Sequence, residues 1–336
     1  MKTLASRCKE FVFLFLKSTG ILRLILNLLA KIFRTVAVSG MGSDLCLKEG
    51  YLPVPVNYYS PIPDIYDLEK RDIWDKRSEL RGIDFRPDEQ KRLLRELGGR
   101  FSKECQWALE RKEHSLEFYL QNPCFSYGCA ASTHCMVRHA KPATVIEIGS
   151  GMSSRVIAKA LAMNREETMS EGAHIIVDPY PDELVKKGSL GVKEVIERRV
   201  ETLDVDFWQR LRSDDILFID SGHCVRIGGD VNYLFLDVLP RLAPGVIVHI
   251  HDIALPREYP RAYATSETFR QFWTEQYLLQ GFLCFNNEFE ILLAMSYLMT
   301  DHQDLFRTAF PFYNPEIHRL SSASFWMRRK LREDHR

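Results

Sequence analysis

The sequence predicts an α/β fold, a largely parallel sheet with helices on both faces, preceded by a helical N-terminal extension. Three observations predict it. From about residue 129 onward, short β-branched runs alternate with helical segments, the pattern of strands buried on both faces. Four of these runs end in an acidic residue, at Glu147, Asp178, Asp220 and Asp252, and ligands of such sheets bind at the carboxyl ends of the strands. The first run, "VIEIGSGMSSRVIAKAL" at 145–161, goes from apolar strand to helix through Gly149, Ser150 and Gly151. Almost no side chain is left at that strand exit, which suits a ligand lying close to the backbone.

The chain has 336 residues, of which 46% are hydrophobic and 27% charged. That allows one large domain with additions and a full core, and excludes compositional disorder. Forty-five basic residues balance forty-five acidic ones, so a nucleic-acid partner is not expected. The eight cysteines form no CxxC pair, which matches neither a disulfide scaffold nor a zinc ribbon. They read as free thiols in a reducing, cytoplasmic setting.

Residues 1–40 stand apart. The apolar block at 11–16 is too short for a signal-peptide core, and Lys17, Arg23, Lys31 and Arg34 interrupt every longer apolar run, so no transmembrane span is expected. On a helical wheel Gly20, Arg23, Asn27, Lys31 and Arg34 share one narrow face, with Ile21, Leu22, Ile25, Leu28, Leu29, Ile32 and Phe33 opposite. This is the composition of an in-plane helix on an anionic membrane surface through residues 20–34, and equally of a helix packed on the protein's own body. Residues 41–120 read as a cap: a Pro/Tyr-rich extended strap at 51–69, then charged amphipathic helices, one starting at "DEQKRLLREL" (88–97) and ended by Gly98-Gly99. Residues 121–336 read as the main domain. Strands are expected near 144–148, 174–178, 193–199, 215–220 and 245–250, with two more in "FEILLAMSY" and "SASFWMRRK". Helices are expected at about 153–163, 181–187, 204–212, 229–242 and 266–280, with a helical insert at 301–308.

Two ligand classes compete for the strand ends. A nicotinamide enzyme needs G-x-G-x-x-G and a ribose-binding acid about 20 residues on. Here Ser154 replaces the third glycine and Asp178 lies 29 residues past Gly149. S-adenosylmethionine has no pyrophosphate. It needs room beside the first strand and an acid at the end of the second, and this sequence offers both.

Together "VIEIGSGMSS", "VDPYP", "ILFIDSGH" and "PGVIVHIHDI" resemble class I S-adenosylmethionine-dependent methyltransferases, in the catechol-type and related small-domain branch. The resemblance covers roughly residues 120–330. It implies a Rossmann-like methyltransferase sheet of seven strands. It further implies a cofactor site of Glu147, Gly149, Ser150, Gly151, Ser153, Asp178 and Asp220, with Asp178 on the ribose. Enzymes of this branch hold Mg²⁺ with an Asp after strand four and an Asp-Asn pair after strand five, and use a Lys three residues past the first Asp as base. This chain has Asp220 for the first ligand, His223 at the base position and His251-Asp252 for the pair. The expected metal set is therefore Asp220, His251 and Asp252, in surroundings better suited to a transition ion than to Mg²⁺. The alternative is no metal, with His251 bonded to Asp220. His223, titrating near neutrality, is the expected general base beside Asp220. His249 is expected in the core; Glu275 could reach the pocket, but a solvated helix surface is the expected place for it.

The expected function is methyl transfer from S-adenosylmethionine to an oxygen or nitrogen of a small or membrane-derived acceptor. The alternatives are an NAD(P)-dependent oxidoreductase and a catalytically degenerate scaffold. The oligomeric state is left open.

Overall fold

The computed structural model describes residues 20–113, 115–169, 171–267, 270–318 and 322–331. The apolar block at 11–16 and Lys17 lie outside them. The chain divides into two compact units, Met1–Asp72 and Ile73–Arg336.

In the first unit, helix α1 (Ile21–Ser39) runs between Gly20 and Gly40, both left-handed, and the Gly40 amide closes it on the Val36 carbonyl at 2.8 Å. Glycine ends a helix this way because it has no Cβ to strain. No residue of α1 is buried. Helix α2 (Ser43–Lys48) follows with Cys46 buried, and Phe33 meets Tyr51 edge to face at 6.0 Å. The proline-rich segment is extended and leads into α3 (Ile65–Leu68), capped by Asp64, whose side chain accepts from the amides of Tyr66 and Asp67.

The second unit opens with α4 (Pro87–Phe101) and α5 (Tyr127–Ala140), then alternates strand and helix. The strands are β1 (Thr144–Ile148), β2 (Ala173–Val177), β3 (Glu194–Ile196), β4 (Ile216–Ile219), β5 (Ile247–Ile250), β6 (Phe289–Ala294) and β7 (Phe325–Arg329). They form one sheet ordered β3-β2-β1-β4-β5-β7-β6, the first five parallel and β7 antiparallel to both its neighbours. The order reverses between β1 and β4, the switch point where such sheets bind ligands.

Strand period places alternate side chains on opposite faces, and both faces are covered. Val145, Ile216, Phe218 and Ile247 pack with α5 and with Val156, Ile157 and Ala160 of α6 (Met152–Thr168). Ile146, Ile148, Leu217, Ile219, Val248 and Ile250 face the other way, against residues 231–242 and α10 (Glu275–Leu283). The remaining helices are α7 (Glu183–Lys186), α8 (Asp230–Tyr233), α9 (Arg261–Thr265), α11 (Met295–Asp301) and α12 (Gln303–Ala309).

The seven strands stand where the sequence places them, each shorter than or equal to its expected span. Several other expectations are corrected. Gly98-Gly99 does not end α4, which runs on to Phe101, because Gly98 presses on Ala309: a Cβ there would meet the Ala309 carbonyl oxygen at 2.4 Å. The "FEILLAMSY" strand stops at Ala294 and turns into α11. The helix expected at 204–212 is a 3₁₀ segment, Val205–Arg210, and that at 229–242 breaks into α8, a π segment (Leu234–Val238) and a 3₁₀ turn at Leu239–Arg241. The helix expected at 266–280 starts only at Glu275. Among the described residues seven cysteines are free, and no helix is long and apolar enough to cross a membrane.

Candidate active site

The site lies at the carboxyl ends of β1, β2, β4 and β5. Gly149 leaves β1 at φ 79°, and a Cβ on it would stand 2.0 Å from the backbone oxygen of Asp220. Glycine is required here for two reasons: the left-handed turn, and the approach of the β4 end. The turn is held from the side by Asp178 at the tip of β2. One of its oxygens accepts from the Ser150 amide at 2.9 Å and the Ser150 hydroxyl at 2.7 Å, and the other from the Tyr180 amide at 2.7 Å. Gly151 donates its amide to Ser154 Oγ at 3.0 Å, which starts α6.

A cavity of about 300 Å³ opens beside this turn, lined among others by Gly149, Asp178, Tyr180, Glu201, Asp220 and Ser221. Gly149, Asp178 and Asp220 thus meet at one wall. Glu147 and Ser153 do not join them, which corrects their expected place. Glu147 is fully buried and accepts from the Ser153 hydroxyl at 2.6 Å, while its other oxygen pairs with His174 Nε2 at 2.8 Å. These two residues tie β1 to α6 and β2 behind the cavity.

A second cavity, about 340 Å³, lies on the other side of Asp220. Its walls include Cys124, Cys129, His251, Asp252, Tyr259, Tyr263, Gln271 and Trp273. Asp220 lines both cavities. Tyr263 and Trp273 meet edge to face at 4.9 Å and give the second cavity an aromatic side. Gln271 Oε1, at its wall, is buried without a hydrogen-bond partner.

The histidines fall out differently from the sequence expectation. His223 Nε2 stands 3.4 Å from Asp220 Oδ1 and 3.4 Å from Asp252 Oδ2, and its Nδ1 is 2.8 Å from Glu275 Oε2. Among the described residues, Asp220, His223 and Asp252 bring one donor atom each within 4.8 Å of one another. His223, not His251, is therefore the histidine of the cluster. His251 sits one step back, buried and stacked on Phe125 at 5.0 Å, with its Nε2 3.6 Å from Asp252 Oδ1. His249 is in the core as expected, stacked on Phe218 at 3.8 Å and bonded to Ser324 Oγ at 3.0 Å.

Glu275 is the residue that sequence reasoning misplaced. It is wholly buried at the start of α10, not solvated. The His223 carbonyl accepts from the amides of Thr274 at 2.9 Å and Glu275 at 3.2 Å, so the loop and the helix start lock together. His223 and Asp252 both hold left-handed backbones, φ 55° and 56°. Strained non-glycine residues of this kind cluster at functional sites.

Charge follows the geometry. Burial pushes the Asp220 carboxyl up, but His251 and His223 beside it more than offset that and hold it at about 2. Burial likewise opposes a charged His223, yet Asp220 and Glu275 outweigh it and raise the ring well above the usual imidazole range. Both acids thus favour the charged ring, against its burial.

Residues 146–253 match a family model described as a methyltransferase domain. An uncharacterised protein of Archaeoglobus fulgidus is 28% identical over 183 residues, spanning 52% of this chain and 80% of that protein. Among solved structures, a candidate methyltransferase of Thermobifida fusca YX shares 15% identity at a TM-score of 0.38, covering 60% of this chain and 79% of its own. The plantazolicin methyltransferase BpumL, solved in complex with SAH, shares 11% identity at a TM-score of 0.35, covering 60% and 83%.

Proposed function

We propose, from the methyltransferase-domain match over residues 146–253 and from the sheet order, both of which support a class I methyltransferase, that the protein moves a methyl group from S-adenosylmethionine to an oxygen of a small acceptor. One observation carries this reading: Asp220 forms the common wall of two cavities, one beside the Gly149 turn and one among the aromatics of residues 259–273. A donor and an acceptor need such adjoining rooms, because the transfer requires the two reacting atoms in line and in contact.

Gly149, Ser150, Gly151 and Asp178 are suited to the donor side. The turn offers backbone close to the ligand, and Asp178 offers carboxylate oxygens for hydroxyls. The sulfonium of the donor supplies an electrophilic methyl. On the acceptor side Asp220 and Asp252 receive the hydrogen bond of an incoming hydroxyl, and the Tyr263–Trp273 wall holds the body of the molecule against them. Asp220, His223 and Asp252 are a donor set that fits a divalent ion, which would lower the pKa of a bound hydroxyl. A hydroxyl oxygen is favoured over nitrogen because an ion held by that set would assist loss of the hydroxyl proton.

Calorimetry tests the reading. The protein should bind S-adenosylhomocysteine and not NADH, and Asp178→Ala should weaken that binding by about 1.5–3 kcal/mol, the range for charge-assisted hydrogen bonds. Binding of NADH alone would favour an oxidoreductase, and binding of neither a scaffold.

A separate observation supports a membrane-surface role for α1. Its exposed apolar residues include Leu24, Leu26, Leu28 and Ile32, and Arg23, Lys31 and Arg34 share the helix without any acid. An anionic bilayer surface satisfies both features at once.

A further inference from the structure

We propose that His223 is the nitrogen ligand of a first-row transition-metal site completed by Asp220 and Asp252, with Glu275 as the positioning residue of its ring. The inference rests on the reading above only in that the same cavity would receive the acceptor. It gives the residue at the family's base position a different role and the site a different metal.

His223 Nε2 lies 3.4 Å from one oxygen of each aspartate. That is too long for a good hydrogen bond, which runs at about 2.7–3.2 Å. It is the separation of two ligands that each stand about 2.1 Å from a tetrahedral ion, roughly 3.4 Å apart. A histidine serving only as an ion-pair partner would close on one carboxylate, as this ring does on Glu275 at 2.8 Å. On its Nε2 side it stands midway between two.

The ring is also supported from behind. Glu275 is fully buried, and its Oε2 accepts the hydrogen bond of the Nδ1–H at 2.8 Å, which leaves Nε2 to face the aspartates. Metal-binding histidines have this arrangement almost without exception. Trp273 packs on the ring at 4.5 Å, and the His223 backbone carbonyl is anchored on the same helix start as its side chain. His251 and Cys129 also border the cavity, but neither belongs to the converging set.

Chemistry decides the ion. Mg²⁺ selects all-oxygen octahedra and keeps its water, whereas imidazole beside carboxylates suits zinc, iron, cobalt or nickel.

The test uses full-length protein, stripped with chelator and titrated with Co²⁺. One equivalent should bind and give visible ligand-field bands that a hundredfold excess of Mg²⁺ does not remove. Proton NMR of the Co²⁺ form should show a strongly shifted imidazole N–H, slow to exchange because Glu275 holds it. His223→Gln should abolish that resonance. Glu275→Gln should keep it, with faster exchange and about 10–100-fold weaker Co²⁺ binding. S-adenosylhomocysteine titrations on the same samples report folding and the methyltransferase reading separately. Should His223→Gln fail to fold, the wild-type resonance and Glu275→Gln still decide. Co²⁺ bound without a shifted N–H, displacement by equimolar Mg²⁺, or no binding of Co²⁺ would each overturn the proposal, even with S-adenosylhomocysteine bound normally.

Discussion

Gly149→Ala is the sharpest single perturbation of the donor site. At φ 79° an L-residue costs about 1–2 kcal/mol in backbone conformation alone. The added Cβ would also lie 2.0 Å from the Asp220 backbone oxygen, where ordinary contact begins at 3.4 Å. The ends of β1 and β4 must therefore part, against the Asp220 amide bond to the Ile148 carbonyl at 2.9 Å and the Gly149 amide bond to Val177 at 3.0 Å. Overpacking of this kind adds about 1–3 kcal/mol. Gly191→Ala is the matched control, with a similar φ of 69° and nothing within 4 Å of the new Cβ. Urea unfolding of both variants, compared at unchanged m-value, isolates the clash as the difference between them. Calorimetry should show S-adenosylhomocysteine binding lost in Gly149→Ala and kept in Gly191→Ala. If the two variants unfold within about 0.5 kcal/mol of each other and bind alike, the close approach at the strand exit is not what this glycine is for.

Two further predictions concern parts away from the site. Burial pushes Glu104 up, but hydrogen bonds from His134 and Arg138 prevail and hold it at about 2, below the ordinary 4.5. Its contribution is thus present above pH 4.5 and lost as pH falls towards 2, so Glu104→Gln should flatten the acid limb of the stability profile across that window; an unchanged limb would discount the network. For α1, the protein should sediment with phosphatidylserine vesicles, and high salt should weaken this only in part. Leu24→Ser/Leu28→Ser should remove most of it, since each leucine gains about 1.5–3 kcal/mol on full burial and the two are now 71% and 62% exposed. Wild-type protein left in the supernatant would refute the surface role.

What was legible in the sequence, and what was not, follows from range. Strands β1, β2, β4 and β5 are buried on both faces, so their β-branched runs and terminal acids announce themselves locally. Helix α5 does not, because every residue from Tyr127 to Arg138 is buried and no polar face marks its period. Gly98 reads as a stop signal, yet its contact is with Ala309, far along the chain. The same distance hides Glu275: within the helix expected at 266–280 it reads as a solvated surface residue, and only the fold brings it to His223, 52 residues away. The choice of His223 over His251 also needed coordinates. Both histidines stand at strand ends, and the left-handed turns at 223 and 252 decide which ring meets the carboxylates.

Strand β7 sits between β5 and β6, and among the described residues β6 pairs with no other strand. As the chain leaves the ribosome, β1 through β5 can assemble in turn, but the β5 edge stays bare until residues 325–329 have emerged. Over that interval β6 has nowhere to dock, and β5 offers open backbone to any passing strand. His249 and Phe218 gain their cover from Trp326 in the same step, at 4.6 Å and 6.1 Å. Truncation within β7 would therefore do more than trim an end: it would leave a parallel sheet with an unprotected flank, and aggregation would be its first symptom.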